Sequence, residues 1–121
     1  MLRRFTKTVI LPIRKNPIRV AFSLERYTNG NTAVNIYKPK LLGYHDWDVL
    51  TVNTDTVLPS DCVCIDTNHH GEDVIDCLEQ LGFGVATGLI CTSGFCKYPV
   101  FKLDIEKIKR YCVPTDAILY A

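Results

Sequence analysis

Four side chains in the second half of the chain have the chemistry of metal ligands. They are His69, His70, Cys91 and Cys96. The histidines are adjacent in a predicted loop, and a Thr-Ser-Gly-Phe turn separates the cysteines, so that two thiols can meet at one ion. Because zinc prefers thiolate and imidazole ligands, both cysteines with one or both histidines predict a structural zinc site. The spacing matches no strong zinc motif, so simple packing of these side chains remains the alternative.

A catalytic interpretation of the same region is also open. Cys91 or Cys96 would be the nucleophile, His69 or His70 the base, and Asp66 the carboxylate that orients the base. These residue types meet by chance in many folds. The sequence contains no nucleotide-binding glycine loop, no serine nucleophile elbow and no helical zinc-protease motif. We therefore expect a protein that is not an enzyme.

The other four cysteines have a structural interpretation. Cys62 and Cys64 alternate with apolar residues in a predicted strand, so both thiols lie on one face of it. If the sheet is covered on both faces, these thiols pack as small hydrophobic groups. Cys77 and Cys112 fall on the apolar faces of predicted helices. We predict that all four contribute to the core.

Most of the elements that must position these side chains are predicted β-strands. Arg19–Arg26 alternates apolar and polar residues, and Thr32–Lys38 resumes a strand pattern after the Asn29-Gly30 pair. An Asn-Gly pair between two such runs predicts an N-terminal β-hairpin. Further strands are predicted over Phe5–Ile13, Trp47–Thr54 and Asp61–Asp66, and within Phe83–Leu103 around turns at Gly88 and Thr92-Ser93-Gly94.

Two short helices complete the predicted fold. Glu72–Leu81 has apolar residues at helical spacing and is followed by Gly82, a typical C-terminal cap. A second helix is predicted to begin after Asp104 as N-cap and to continue toward Cys112. The predicted fold class is α+β, mainly an antiparallel β-sheet with an N-terminal β-hairpin and two short helices. At 121 residues, the chain is expected to form a single domain over 1–121.

Charge is sorted along the chain although the net charge is only +1. Residues 1–40 contain nine Lys and Arg and one acid, whereas residues 41–96, the acidic segment, contain nine Asp and Glu and neither Lys nor Arg. Either oppositely charged strands pair in the fold, or the surface keeps regions of separate sign that steer a charged partner. The acids that we predict to contact a partner are Asp46, Asp48, Asp55, Asp61, Glu72, Asp73, Asp76 and Glu79.

The apolar run in the N-terminal region is too short for an export signal or a membrane span. The run Val9–Ile13 contains a proline, and no other run approaches the roughly 18 apolar residues of a membrane span. We expect a cytoplasmic protein with no membrane partner. In that reducing compartment the six cysteines are expected as thiols or metal ligands rather than disulfides.

Short motifs in the C-terminal half carry a family resemblance. In order, they are Thr51-Val52-Asn53, Asp66-Thr67-Asn68, Thr87-Gly88, Ser93-Gly94-Phe95-Cys96 and Tyr98-Pro99. With them, the region 47–111 resembles an uncharacterised family of small proteins from phages and conjugative elements of gut and lactic bacteria. The resemblance implies no established activity and no catalytic residues. Turn and capping roles also explain these positions, and His69, His70 and Cys91 lie outside the pattern.

Small phage and mobile-element proteins without enzyme motifs are often inhibitors of host defence. In general character the chain is similar to anti-CRISPR proteins, which bind RNA-guided nucleases. Because such nucleases hold nucleic acid in positively charged channels, the acidic segment suggests a type II Cas nuclease of the host bacterial cell as partner, with target DNA loading or cleavage blocked. The alternative is a nucleic-acid-binding accessory protein that uses Arg3, Arg4, Lys7, Arg14, Lys15 and Arg19.

Overall fold

Two sheets and three short helices make up the part of the chain that the computed structural model describes, residues 7–114 and 118–119. The strands are β1 Val9–Ile13, β2 Asn16–Arg26, β3 Thr32–Lys40, β4 Gly43–Val49, β5 Thr51–Val52, β6 Cys62–Ile65, β7 Gly84–Ser93, β8 Cys96–Leu103 and β9 Ile118–Leu119. The helices are α1 Thr67–His70, α2 Asp73–Gln80 and α3 Ile105–Lys109. The sheet orders are β1-β2-β3-β4-β9 and β5-β6-β8-β7. Every pairing between these strands is antiparallel except β4 with β9, which confirms the α+β class with a mainly antiparallel sheet.

The predicted N-terminal hairpin is confirmed as β2 and β3. The strands pair from Ala21 with Tyr37 to Arg26 with Thr32, and Gly30 in the connecting turn has a φ of 92°. Alternation along β2 buries Phe22 completely in the main core. The predicted strand over residues 5–13 is β1, although its residues 5 and 6 lie outside the described residues.

A two-residue turn joins β1 to β2. Arg14 and Lys15 form this turn between the paired residues Ile13 and Asn16, and their φ values are 51° and 67°. Tight hairpins need this left-handed backbone, which Asn and Gly adopt at lower cost than Arg and Lys. The backbone N–H of Arg14 donates to the carbonyl of His70 at 2.8 Å, which holds the turn against α1.

The two sheets share one hydrophobic core and meet at Leu50. The N–H of Leu50 donates to the Val34 carbonyl at 2.8 Å, and its carbonyl accepts from Asp66 at 3.0 Å. The predicted strand 47–54 is therefore divided into the end of β4 and the short β5. Phe22 of the first sheet and Phe101 of the second are both fully buried in the same core.

The second sheet ends at β7, which pairs along one side with β8. Gly94 and Phe95 form the hairpin turn between the paired residues Ser93 and Cys96, in agreement with the turn predicted nearby. Gly88, with a φ of 82°, lies in a bulge within β7 rather than in a turn between strands. The Thr87 hydroxyl supports this bulge, since it donates to the Val100 carbonyl at 2.8 Å.

Both predicted helices are present. α2 buries Val74 and Leu78, and Gly82 follows it with a φ of 78°. α3 is shorter than predicted because the chain after it adds to β2, where the Tyr111 carbonyl accepts from Phe22. Asp104 caps α3 through a hydrogen bond from the Lys107 N–H at 3.1 Å. Within the described ranges, no helix is long and apolar enough to cross a membrane.

A third helix, α1, was not predicted from the sequence. Its four residues, Thr67–His70, are too few to show helical periodicity. Asp66 caps it, because its carboxylate accepts from the N–H of His69 at 3.2 Å. A side-chain cap at Asp66 is the one local signal that the sequence offers for this turn of helix.

Candidate functional site

The structure assembles a different set of potential ligands from the one that the sequence suggests. His69 and His70 lie in α1, and one potential ligand atom from each lies within 4.8 Å of the other and of a carboxylate oxygen of Asp48. Cys91 and Cys96 do not belong to this group. Among residues 7–114 and 118–119, it is the one cluster of at least three such side chains. We call Asp48, His69, His70 and the adjoining Arg14 the histidine cluster.

Cys91 packs instead in a small apolar cluster with Cys64, Tyr98 and Val100. This cluster lies on the face of the second sheet that is opposite the main core. Burial and a hydrogen bond with Cys91 raise the pKa of Cys64, its neighbour in this cluster, to about 12. Cys96 is exposed at the hairpin end. The predicted two-cysteine, two-histidine site is therefore not assembled.

A disulfide between Cys64 and Cys91 is also excluded by the sheet geometry. Strand β8 lies between the strands that carry them, so that their backbones are separated by two strand spacings of about 4.8 Å each. This exceeds the roughly 7 Å limit for Cα atoms joined by a disulfide. The predicted packing role fits Cys62 and Cys64, since Cys64 is buried and Cys62 packs beside it in the same apolar cluster.

Arg14 occupies the centre of the histidine cluster. Its Nη2 atom lies 2.5 Å from Oδ2 of Asp48 and 3.0 Å from Nε2 of His69, and those two atoms are 3.3 Å apart. A guanidinium only donates hydrogen bonds and a carboxylate only accepts them. With Nε2 unprotonated, His69 accepts from Arg14, and with Nε2 protonated it donates to Asp48. In the first of these tautomers, both Asp48 and His69 direct lone pairs at the Arg14 cation.

His70 is fully buried, and its two ring nitrogens have different environments. Nε2 lies 2.6 Å from the Val49 carbonyl, which only accepts, so this nitrogen carries the proton. Nδ1 then holds a lone pair, and it has no hydrogen-bond partner among the described residues. A buried nitrogen without a partner is uncommon in folded proteins, and a bound ion or water is a common reason for one.

Asp48 is the anion of the cluster. Burial alone would raise the pKa of its carboxyl group, but the hydrogen bond from the Val49 N–H and the contacts with Arg14 and the histidines together outweigh burial. The net effect is a pKa below the ordinary value of 3.8, so the group is charged at neutral pH. The cluster therefore presents a full negative charge to whichever cation it holds.

A groove of about 690 Å³ lies on the other side of α1. Its walls come from the helices α1 and α2 and from the end of the β7–β8 hairpin. Phe95 and Ile90 are exposed there, with relative exposures of 106% and 61%. The residues that line the groove are Thr67, Asn68, Glu72, Ile75, Asp76, Ile90, Phe95, Cys96, Lys97, Tyr98 and Pro99.

The predicted partner-binding acids do not form a single set. Asp48 lies in the histidine cluster, Asp61 accepts from the Cys62 thiol, and Glu79 accepts from the Ala86 N–H of β7 at 2.9 Å. Asp46 and Asp55 are exposed on β4 and on the connection before β6.

Three acids at the start of α2 keep their charge unpaired. Glu72, Asp73 and Asp76 are exposed and have no ion pair or side-chain hydrogen bond with any other residue in the described ranges. Glu72 and Asp76 also line the groove. Among the described residues, the ion pair between Arg14 and Asp48 is the only one that joins residues 1–40 to the acidic segment. Separation of charge, rather than mutual neutralisation, therefore describes α2.

Sequence reasoning missed the roles of two residues. Arg14 and Asp48 are 34 positions apart and meet through the β1–β2 turn, which has no Gly or Asn to signal it. The groove had a signal in the sequence, because three of the short motifs converge on it. These are Asp66-Thr67-Asn68, Ser93-Gly94-Phe95-Cys96 and Tyr98-Pro99, each of which supplies groove residues.

Comparison with known proteins gives one match. No curated protein and no solved structure matches the chain. A family profile described as "Domain of unknown function (DUF4313)" matches residues 21–117, which is more than three quarters of the chain. The matched range includes the groove, α2 and the three potential ligands of the histidine cluster, whereas β1 and Arg14 precede it. The chain therefore belongs to the DUF4313 family.

Proposed function

We propose that this protein binds a positively charged protein partner through the groove and α2, and that it is a binding protein rather than an enzyme. The observation that carries the proposal is the unpaired acidic start of α2 beside exposed apolar side chains. Glu72 and Asp76 supply the charge, and Phe95 and Ile90 supply the apolar contact. Large exposed aromatic side chains next to a polar rim are typical of interaction sites.

The edge of the second sheet extends this surface. β7 pairs with β8 along one side, and Val85, Leu89 and Ile90 expose more than half of their side-chain surface. An unpaired strand edge offers backbone groups to an added strand of a partner. Glu79 occupies one of these groups, the Ala86 N–H, which leaves the end of β7 nearest the groove as the accessible part.

The finer proposal concerns the identity of the partner. Together with the resemblance to phage and mobile-element proteins, the acidic α2 suggests an anti-CRISPR inhibitor of a type II RNA-guided nuclease in the cytoplasm of a host bacterial cell. The nuclease holds nucleic acid in positively charged channels, where carboxylates can take the place of phosphates. Binding there would block target DNA loading or cleavage.

Binding and DNA-cleavage assays with a purified type II nuclease and its guide RNA test this proposal. We expect the protein to bind the nuclease and to protect target DNA. The double variant Glu72→Lys with Asp76→Lys should weaken binding by about tenfold or more, since it places like charges against the partner. Asp55→Lys changes an exposed acid away from α2 and is the matched control. Absence of binding, or equal weakening by the control, would contradict the proposal.

A second candidate function is supported by exposed and ring-stacked basic side chains on the first sheet. Nζ of Lys38 lies 4.1 Å from the centre of the Trp47 ring, and Lys15 and Arg19 are exposed on the β1–β2 hairpin. Basic side chains beside an aromatic ring are used to bind single-stranded nucleic acid. Arg3 and Arg4 lie outside the described residues. A salt-dependent mobility shift with DNA or RNA alone, abolished by Lys15→Glu with Arg19→Glu, would favour this function over the inhibitor.

A further inference from the structure

We infer that Asp48, His69 and His70 bind one divalent transition-metal ion, for which zinc is the best fit. The inference concerns the histidine cluster and does not depend on the groove or its partner. Two imidazoles and one carboxylate are ligands that zinc accepts, and three protein ligands leave the fourth position to water. Asp48 takes the place that the sequence alone had suggested for the cysteines.

The spacing of the ligand atoms suits a tetrahedral ion. Bonds of about 2.0–2.1 Å to zinc place neighbouring ligand atoms about 3.3 Å apart. Oδ2 of Asp48 and Nε2 of His69 are 3.3 Å apart, and a ring nitrogen of His70 lies within 4.8 Å of both. The three side chains therefore lie close enough together to hold one ion.

His70 supplies an independent observation. Its Nδ1 is buried without a partner in the described ranges, while Nε2 is fixed by the Val49 carbonyl. Histidines that bind metals commonly donate their second ring N–H to a carbonyl group, which fixes the tautomer and the ring orientation. An ion bound at Nδ1 would satisfy the one ring nitrogen that the fold leaves unpaired.

Arg14 is the competitor for this position. Its guanidinium contacts the same Asp48 and His69 atoms that would bind the ion, so that metal binding requires this side chain to move aside. The Arg14 side chain is 46% exposed, and its backbone is held separately through the carbonyl of His70. The side chain can therefore swing into solvent without disrupting the turn.

Calorimetric titration of the full chain with zinc tests the inference. Cobalt serves as a spectroscopic probe of the same site. We expect one ion per chain and a visible cobalt band typical of tetrahedral coordination. His69→Ala and Asp48→Asn should each weaken zinc binding by about tenfold or more. Arg14→Ala should strengthen zinc binding several-fold, because it removes the competing cation.

Control variants separate the histidine cluster from the rest of the chain. His45→Ala changes a histidine outside the cluster, and Cys91→Ser with Cys96→Ser changes the thiols that the sequence suggested. All three substitutions should leave zinc affinity unchanged. If neither the natural chain nor Arg14→Ala binds zinc, or if the thiol variants lose zinc while Asp48→Asn retains it, the inference is overturned. These experiments measure zinc binding and not nuclease binding, so their failure would leave the proposed function untested and unchanged.

Discussion

Cys64 and Cys96 show how the fold gives two cysteines of one sheet different chemistry. Cys64 is 3% exposed, and burial together with a hydrogen bond to Cys91 raises its pKa to about 12. Burial also raises the pKa values of Cys62, Cys77 and Cys112. Cys96 is exposed beside the groove. Because the thiolate is the reactive form, the six thiols should differ strongly in reactivity.

We predict that Cys96 is the only thiol that reacts rapidly with a chromogenic disulfide reagent at pH 8. A pKa of about 12 leaves about one Cys64 in ten thousand as thiolate at that pH, and its rate should rise with pH up to that value. Stopped-flow absorbance measures the rates. Cys96→Ser should remove the fast phase, whereas Cys77→Ser should leave it intact. A fast phase that survives in Cys96→Ser would contradict the prediction.

The backbone of Lys15 provides a second prediction at the residue scale. Its φ of 67° costs a side-chain-bearing residue about 1 kcal/mol, and Lys15 makes no side-chain hydrogen bond or ion pair with the other described residues. Lys15→Gly should therefore raise the free energy of unfolding by about 1 kcal/mol. Urea denaturation measures the change.

The turn between β2 and β3 offers the opposite substitution as a control. Gly30 has a φ of 92°, with open space around the position of an added Cβ. Gly30→Ala should lower the free energy of unfolding by about 1 kcal/mol through backbone strain alone. The same sign of change for both variants would show that φ does not govern stability at these turns.

At the scale of elements, β7 depends on two glycines for different reasons. A Cβ on Gly84 would lie 2.1 Å from the Lys102 carbonyl oxygen and 2.7 Å from the Phe101 ring. Gly88 has a φ of 82°, but its surroundings are open. Gly84 thus permits close approach of β7 and β8, whereas Gly88 permits the local backbone of the bulge.

We predict that Gly84→Ala destabilises the protein far more than Gly88→Ala. The alanine at Gly84 forces β7 away from β8 and should cost about 3 kcal/mol or more in free energy of unfolding. At Gly88 only the backbone conformation is penalised, by about 1 kcal/mol. Thermal and urea denaturation compare the two variants. Equal destabilisation would contradict the assigned role of Gly84.

The elements predicted from the sequence are those with strong local signals. Asn29-Gly30 locates the β2–β3 hairpin, helical periodicity locates α2, and Asp104 caps α3. α1 was missed because four residues show no periodicity. The turn at Arg14 was missed because its residues give no turn signal, and its conformation is supported by the contact with α1.

For the whole molecule, β1 shows that the core extends beyond the residues matched by the family profile. Val9, Leu11 and Ile13 are buried in the same core as side chains of the second sheet, although the match begins at residue 21. Ile10, between them, is 47% exposed. A core shared by both sheets supports the expectation of a single domain, which cooperative unfolding tests.

We predict that Leu11→Ala lowers the free energy of unfolding by about 2–5 kcal/mol, because it leaves a cavity in this core. The neighbouring Ile10→Ala removes a half-exposed side chain and should cost less than about 1 kcal/mol. Unfolding followed by Trp47 fluorescence and by far-UV circular dichroism should give coincident single transitions. Separate transitions would contradict the single domain, and a small loss for Leu11→Ala would contradict the core position of β1.

The sequence by itself determined the features that depend on near neighbours. Alternation and helical periodicity specify which face of a strand or helix is apolar, and side-chain caps and glycines specify where several elements end. The same reasoning located the acidic start of α2. It also identified the two histidines as potential ligands.

Only the tertiary structure decided which of these side chains meet. Asp48 reaches His69 because β4 and α1 are brought together by the junction of the two sheets at Leu50, and Arg14 joins them through a turn. Cys91 is turned away from the histidines because strand pairing places it against Cys64 and Tyr98. Proximity between distant residues depends on sheet order and register, which local patterns do not encode. For this reason the ligand types could be predicted and their assembly could not.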